Sequence, residues 1–101
     1  PMGGVTAVQI KNIKSGTLSK IDTHGVFIAI GHAPATSLFT NKIDINDRGY
    51  INTAPDSTVT NVPGVYAAGD VTDEKYRQAV TAAGMGCMAA LEAERFIAEN
   101  E

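Results

Sequence analysis

The chain has 101 residues, 44% of them hydrophobic and 19% charged, which is one small domain or a piece of one and argues against disorder as a global state. Eight basic residues against eleven acidic ones leave a net charge of −3, so there is no basic excess to neutralise phosphates and a dedicated nucleic-acid binder is disfavoured. The longest apolar run, Val26–Ile30, is far short of the ~20 residues that cross a bilayer, and a single cysteine, Cys87, rules out both an intramolecular disulfide and a cysteine-rich zinc site.

The first residues, Pro1-Met2-Gly3-Gly4, offer neither the basic nor the apolar region of a signal peptide, so a cytoplasmic location is expected. Proline before methionine suggests a cloned or truncated boundary. Val5 to Ile10 alternates apolar and polar residues and predicts a half-buried strand. Asn12 to Gly16 supplies turn residues, and Thr17 to Asp22 alternates again, so the two segments predict a β-hairpin. Val26 to Ile30 has no polar position and predicts a strand buried on both faces. Pro34 stops it, since proline lacks an amide donor and restricts the preceding residue.

Ala35 to Lys42 reads as a loop or short turn. Lys42–Ile45 and Tyr50–Asn52 are short strand candidates around the turn Asn46-Asp47-Arg48-Gly49. Thr53 to Thr60 is polar and irregular. Val65 to Ala68 predicts a short buried strand ended by Gly69-Asp70, and Val71 to Tyr76 a loop. From about Arg77 to Glu99 a helix is predicted, with Val80, Ala83, Cys87, Ala90, Leu91, Glu94 and Ile97 recurring at three- and four-residue steps.

Several apparent motifs fail on chemistry. The segment from Asp44 begins like a calcium loop, but it places Arg48 and Pro55 where oxygen ligands are needed. Gly84-Met85-Gly86-Cys87-Met88-Ala89 fits a nucleotide fingerprint in letters, yet it lies inside a helix instead of between a strand and a helix. His24 and His32 read as solvated loop histidines, and Cys87 as a small buried core residue, with no metal site anywhere.

One segment carries chemistry. Val65 to Ala68 delivers a glycine and a carboxylate at its C-terminal end, where parallel sheets bind ligands. Gly69 lets a ligand approach the backbone, and ionised Asp70 can accept hydrogen bonds from sugar or sugar-alcohol hydroxyls. Seven residues later a helix opens, and its first-turn amides can hold an electron-rich carbonyl or a developing anion. The competing reading is a strand, a turn and a helix with Asp70 as a turn residue.

Gly64-Val65-Tyr66-Ala67-Ala68-Gly69-Asp70 closely resembles the second FAD-binding motif of the pyridine nucleotide–disulfide reductases. The run from Tyr76-Arg77-Gln78-Ala79 to Ala90 is similar to that of the small bacterial thioredoxin reductases, and Ala29 to Pro34 resembles their hinge. The resemblance implies an α/β fold: a fragment of a two-domain, Rossmann-like FAD/NAD(P)-binding flavoprotein, with short strands, a β-hairpin and one long C-terminal helix. It implies that residues 1–32 are the last hairpin and strand of an NADPH-binding domain, and residues 33–101 the second segment of an FAD-binding domain. By the same resemblance Asp70 would bind the ribityl chain of FAD, with Gly69 beside it. Arg77, Gln78 and Ala79 would line the flavin, and the Ala79 amide would face a pyrimidine carbonyl.

The implied parent is an oxidoreductase that passes electrons from NADPH through FAD and a CxxC dithiol to thioredoxin. No such dithiol can form within these residues, so no catalytic residue is assigned and the isolated chain is expected to be inactive. The tail of a related peroxiredoxin-reducing flavoprotein is the second enzyme reading. The alternative from another class is a non-catalytic module that stands alone, binding a partner or assembling on itself. Cut surfaces also lead to the expectation of a homo-oligomer, in the simplest case a dimer.

Overall fold

The computed structural model describes residues 3–31 and 33–101. The expectation for His32 therefore lies outside the described residues. The chain divides into two compact units, residues 1–31 and 32–101.

The first unit is built on the predicted hairpin. Strands β1 (Ala7–Lys11) and β2 (Leu18–Asp22) pair antiparallel, from Ala7 opposite Asp22 to Lys11 opposite Leu18. Asn12 makes the turn chemically: its Oδ1 accepts the amides of Lys14 at 2.9 Å and Ser15 at 3.1 Å. A short polar side chain that folds back on its own backbone is the usual reason for asparagine at this place. Only Ala7 and Val8 of β1 are half-buried, and all of β2 is exposed.

The expected strand at Val26–Ile30 is not formed. The segment is irregular, with Phe27 99% and Ile30 91% exposed. A strand is defined by hydrogen bonds to a neighbour, and none of the described residues forms a ladder with this segment. An apolar run states that a segment suits a buried place, while the partner that buries it is a separate matter.

The second unit has one long helix, α1 (Ala79–Glu99), against a layer of extended loops. The strands expected at Lys42–Ile45, Tyr50–Asn52 and Val65–Ala68 are each reduced to one bridging residue. Ile45 bridges Ile51, and Tyr66 bridges Val59. Short 3-10 turns at Ser37–Phe39 and Gly69–Val71 complete the unit. Its apolar core is small: Tyr50, Ile51 and Ala67. Among the described residues, Thr36, Thr58, Thr60 and Asp73 fill the remaining buried positions. Thr36 donates to the Gly49 carbonyl at 2.6 Å, Thr60 to the Val65 carbonyl at 2.8 Å, and half-buried Thr72 to the Ile51 carbonyl at 2.8 Å. Each hydroxyl thus donates to a carbonyl of the loop layer, and at Val65 it does so beside the Thr60 amide, which reaches the same oxygen at 3.3 Å.

The helix begins within two residues of its expected start, but a different face is covered. Thr81, Ala82, Met85, Ala89, Glu92, Ala93 and Phe96 are half-buried. Val80, Leu91 and Ile97 from the expected stripe are exposed, Val80 by 79%. Cys87 is exposed as well, which corrects its expected burial. Apolar residues run nearly all round this helix, so periodicity cannot choose between its faces. The choice falls to specific neighbours. Gly64, with φ +78°, leaves room for the Phe96 ring, which would stand 3.0 Å from a Cβ at that position.

Candidate functional site: a cleft between the Gly69 turn and the helix start

Gly69 has φ +78°, a left-handed conformation in which a side chain would be strained. It turns the chain out of the Tyr66 bridge into the 3-10 turn Gly69–Val71. A Cβ here would lie 3.6 Å from the Cβ of Ala82, so the turn is seated on the first turns of α1. The Val71 carbonyl accepts the Ile51 amide at 2.8 Å, which fixes the turn against Tyr50 and Ile51.

These constraints shape a cleft of about 480 Å³ lined by Ala33, Pro34, Ala35, Tyr50, Asp70, Val71 and Arg77. That volume lies within the ~300–1,000 Å³ of ordinary small-molecule sites. Asp70 is exposed at its rim and free to accept hydrogen bonds. The Arg77 guanidinium carbon stands 5.6 Å from the centre of the Tyr50 ring, within cation–π range. The cleft therefore combines a carboxylate acceptor, a guanidinium donor and apolar walls from Pro34, Tyr50 and Val71. Such a set suits a ligand that carries hydroxyls and hydrogen-bond acceptors beside an apolar ring, a class to which FAD belongs.

Of the five residues read from the sequence, Asp70 and Arg77 line the cleft. Gly69 shapes it from behind, while Gln78 and Ala79 stand at the helix start outside the lining. The Gln78 amide donates to Thr81 Oγ1 at 3.2 Å, and the Ala79 amide belongs to the first turn, where an α-helix has no acceptor of its own. Sequence reasoning missed Tyr50, which is distant in sequence. It also missed Asp73, which is 5% exposed and receives the amides of Lys75, Tyr76 and Arg77. Those bonds, led by the one from Tyr76, hold its carboxyl below the usual carboxylate range against the opposing effect of burial. An aspartate six residues before the start of a helix, with a polar segment between them, was the available signal.

A second carboxylate holds the unit together away from the cleft. Glu92 of α1 accepts the Ser57 hydroxyl at 2.6 Å and both the amide, at 2.9 Å, and the hydroxyl of Thr58. The Ser57 hydroxyl is the largest influence keeping the Glu92 carboxyl below its ordinary range. Among the described residues no three His, Cys, Asp or Glu side chains come together as a metal site. No helix among them is long and apolar enough to cross a membrane.

The fold class is α/β of the Rossmann-like FAD/NAD-binding kind, as in solved thioredoxin reductases that superpose on nearly the whole chain. That of T. acidophilum gives a TM-score of 0.78 at 39% identity over 95% of this chain and 31% of its own. That of Giardia duodenalis gives 0.73 at 43% identity, over 92% and 31%. The family model described as pyridine nucleotide-disulphide oxidoreductase matches residues 3–86, and the chain belongs to that family. Among curated relatives, the mitochondrial thioredoxin reductase of Kluyveromyces lactis is 52% identical over 97 residues, 96% of this chain and 28% of the relative. The thioredoxin reductase of Rickettsia conorii is 59% identical over 93 residues, 92% of this chain and 30% of the relative. The chain thus spans about three tenths of the length of these relatives.

Proposed function

We propose that this chain is the C-terminal FAD-binding segment of a thioredoxin-reductase-type flavoenzyme. The observation that carries the reading is that Asp70 and Arg77 flank one cleft with apolar walls. The similarity to thioredoxin reductases across nearly all of its length supports the same reading. Bound FAD supplies the two-electron chemistry. The chain's residues bind and orient it: Asp70 accepts ribityl hydroxyls, Arg77 and Gln78 face the flavin, and the Ala79 amide faces a carbonyl of its pyrimidine end. In the whole enzyme NADPH is the electron donor and the disulfide of thioredoxin the acceptor.

Residues 1–32 are then the closing hairpin segment of an NADPH-binding domain, and residues 33–101 the second part of an FAD-binding domain. A cytoplasmic location goes with this reading, although one relative named above is mitochondrial. The isolated 101-residue chain is inactive in thioredoxin reduction, because it carries one cysteine and a dithiol needs two. Its own FAD affinity is weak or nil, since only part of the cofactor is contacted.

The test is FAD titration of the purified chain and of the full-length flavoprotein that contains it, followed by flavin absorbance and gel filtration. Retained flavin in the full-length protein, lost on substitution of Asp70, supports the reading. Wild-type full-length protein that takes up no flavin overturns it. A second reading, a self-assembling module without chemistry, is favoured by the exposed apolar residues Phe27, Ile28 and Ile30. Flavin uptake by the full-length protein distinguishes the two, because a module without chemistry takes up none.

A further inference from the structure

We propose that Asp73 is a positioning residue of the flavin cleft, holding the segment that presents Arg77 and Gln78. The proposal rests on the flavin reading of that cleft and adds a residue that lies outside its lining.

Asp73 is nearly sealed from solvent, at 5% exposure, and both of its oxygens are used. Oδ1 accepts the Lys75 amide at 3.1 Å and the Tyr76 amide at 2.8 Å. Oδ2 accepts the Arg77 amide at 3.0 Å and lies 3.1 Å from the Thr81 hydroxyl, whose proton it shares with the Gln78 carbonyl at 2.9 Å. Thr81 Oγ1 in turn accepts the Gln78 amide at 3.2 Å. One carboxylate therefore reaches the amides of Lys75, Tyr76 and Arg77 directly, and that of Gln78 through one hydroxyl.

What this arrangement holds is a conformation that arginine does not favour. Arg77 has φ +53°, in the left-handed region. The other non-glycine residues there, Asn41 and Asp56, have short polar side chains that tolerate it, whereas an arginine does not gain by local bonding. Such a conformation persists only where its surroundings over-determine it. The left-handed step turns the chain from the Asp73 loop into α1 and brings the guanidinium over the Tyr50 ring at the cleft. Releasing the Arg77 amide lets the residue relax toward ordinary backbone angles. The side chain then leaves Tyr50, and the first turn of α1 loses its fixed entry.

A plain loop anchor would make the same hydrogen bonds, so the experiment must read the flavin and not folding alone. Asp73→Asn preserves size but replaces one accepting oxygen with a donor. In the full-length holoprotein we measure amide hydrogen exchange at Lys75 to Gln78, the visible absorption and circular dichroism of the flavin, and its midpoint potential. The expected result is exchange at Tyr76 and Arg77 faster by roughly tenfold or more, together with a shifted flavin dichroism band and an altered potential. Faster exchange with a flavin spectrum and potential like wild type makes Asp73 a loop anchor only and overturns the proposal. Unchanged exchange overturns it as well. If Asp73→Asn does not fold, Thr81→Val is the deciding variant. It leaves the carboxylate in place and removes its hydroxyl partner, which also caps the helix at Gln78. It should speed exchange at Arg77 as well as at Gln78 and shift the flavin band; faster exchange at Gln78 alone is loss of the cap, and that result or a wild-type band overturns the proposal. Failure of the flavin reading itself is separate, because the wild-type full-length protein would then take up no FAD while the exchange pattern around Asp73 stayed protected.

Discussion

Glu92, in the middle of the long helix, takes both the amide and the hydroxyl of Thr58, a residue 34 positions earlier that is only 2% exposed. The Ser57 hydroxyl binds the other carboxylate oxygen. A helix position that a pattern would assign to solvent is thus the anchor of the helix on the loop layer. Glu92→Leu should lower the melting temperature by several degrees, because three donors lose their acceptor and the helix loses a tether. Thr58→Val should lower it less, since Glu92 keeps the Ser57 hydroxyl and the Thr58 amide. Circular dichroism melts of the two variants against wild type check the order. Equal melting temperatures for all three proteins would show the tether to be idle.

Acid should loosen the second unit. The carboxyls of Asp73 and Glu92 are both held below their ordinary range in the folded chain. A depressed folded pKa means that the charged form is favoured on folding. The stability it contributes is present above the unfolded carboxylate pKa, about 4, and is lost as pH falls through the lower folded values. Stability should therefore be flat from neutral pH to about 5 and decline below 4. Glu92→Gln should flatten that decline. Denaturant midpoints across the range measure it, and an acid limb of equal steepness in the variant would speak against the assignment.

Gly64 should not tolerate a side chain. Its φ of +78° disfavours any Cβ, and that Cβ would meet the Phe96 ring at 3.0 and 3.1 Å. The conformational part alone costs roughly 1–2 kcal/mol, and displacing Phe96 adds to it. Gly64→Ala should therefore destabilise by about 1–3 kcal/mol. Pairing it with Phe96→Leu should recover part of the loss, since the clash but not the strain is relieved. Urea unfolding of the single and double variants decides this, and a silent Gly64→Ala would rule out the close approach.

Asp70→Ala in the full-length flavoprotein should weaken FAD binding. It leaves ribityl hydroxyls without an acceptor, at about 1–3 kcal/mol, or roughly 5- to 150-fold in affinity. Flavin fluorescence titration reads the change. An unaltered dissociation constant would return Asp70 to the status of a turn residue.

The isolated chain should self-associate. Phe27, Ile28 and Ile30 are 80–99% exposed, and Val80, Leu91 and Ile97 add apolar surface on the helix. Exposed apolar residues in such number are removed from water most readily against another copy. Phe27→Ser with Ile30→Ser should reduce the association seen by sedimentation velocity at micromolar concentration. A monomer in both cases would mean that these side chains are tolerated singly.

Local chemistry in the sequence determined the parts that depend on neighbours along the chain. The hairpin follows from alternation on either side of Asn12, whose side chain closes the turn on its own backbone. The helix from Ala79 follows from a proline-free run rich in alanine that carries Gly84 and Gly86 at a cost, and the turn at Asn46–Gly49 from its polar composition. The pairing of a glycine and an aspartate at Gly69-Asp70 was legible for the same reason. Only the tertiary structure decided which helix face is covered, because the helix is apolar nearly all round and the choice is made by Gly64, Thr58 and Ser57 from distant positions. Only it set Tyr50 against Arg77, 27 positions along the chain, and drew Asp73 inward around four donors. It also decided that Val26–Ile30 forms no strand within this chain. Hydrophobicity records a residue's preference for burial, but a strand is a set of hydrogen bonds between two segments, and the second segment is not written in the first.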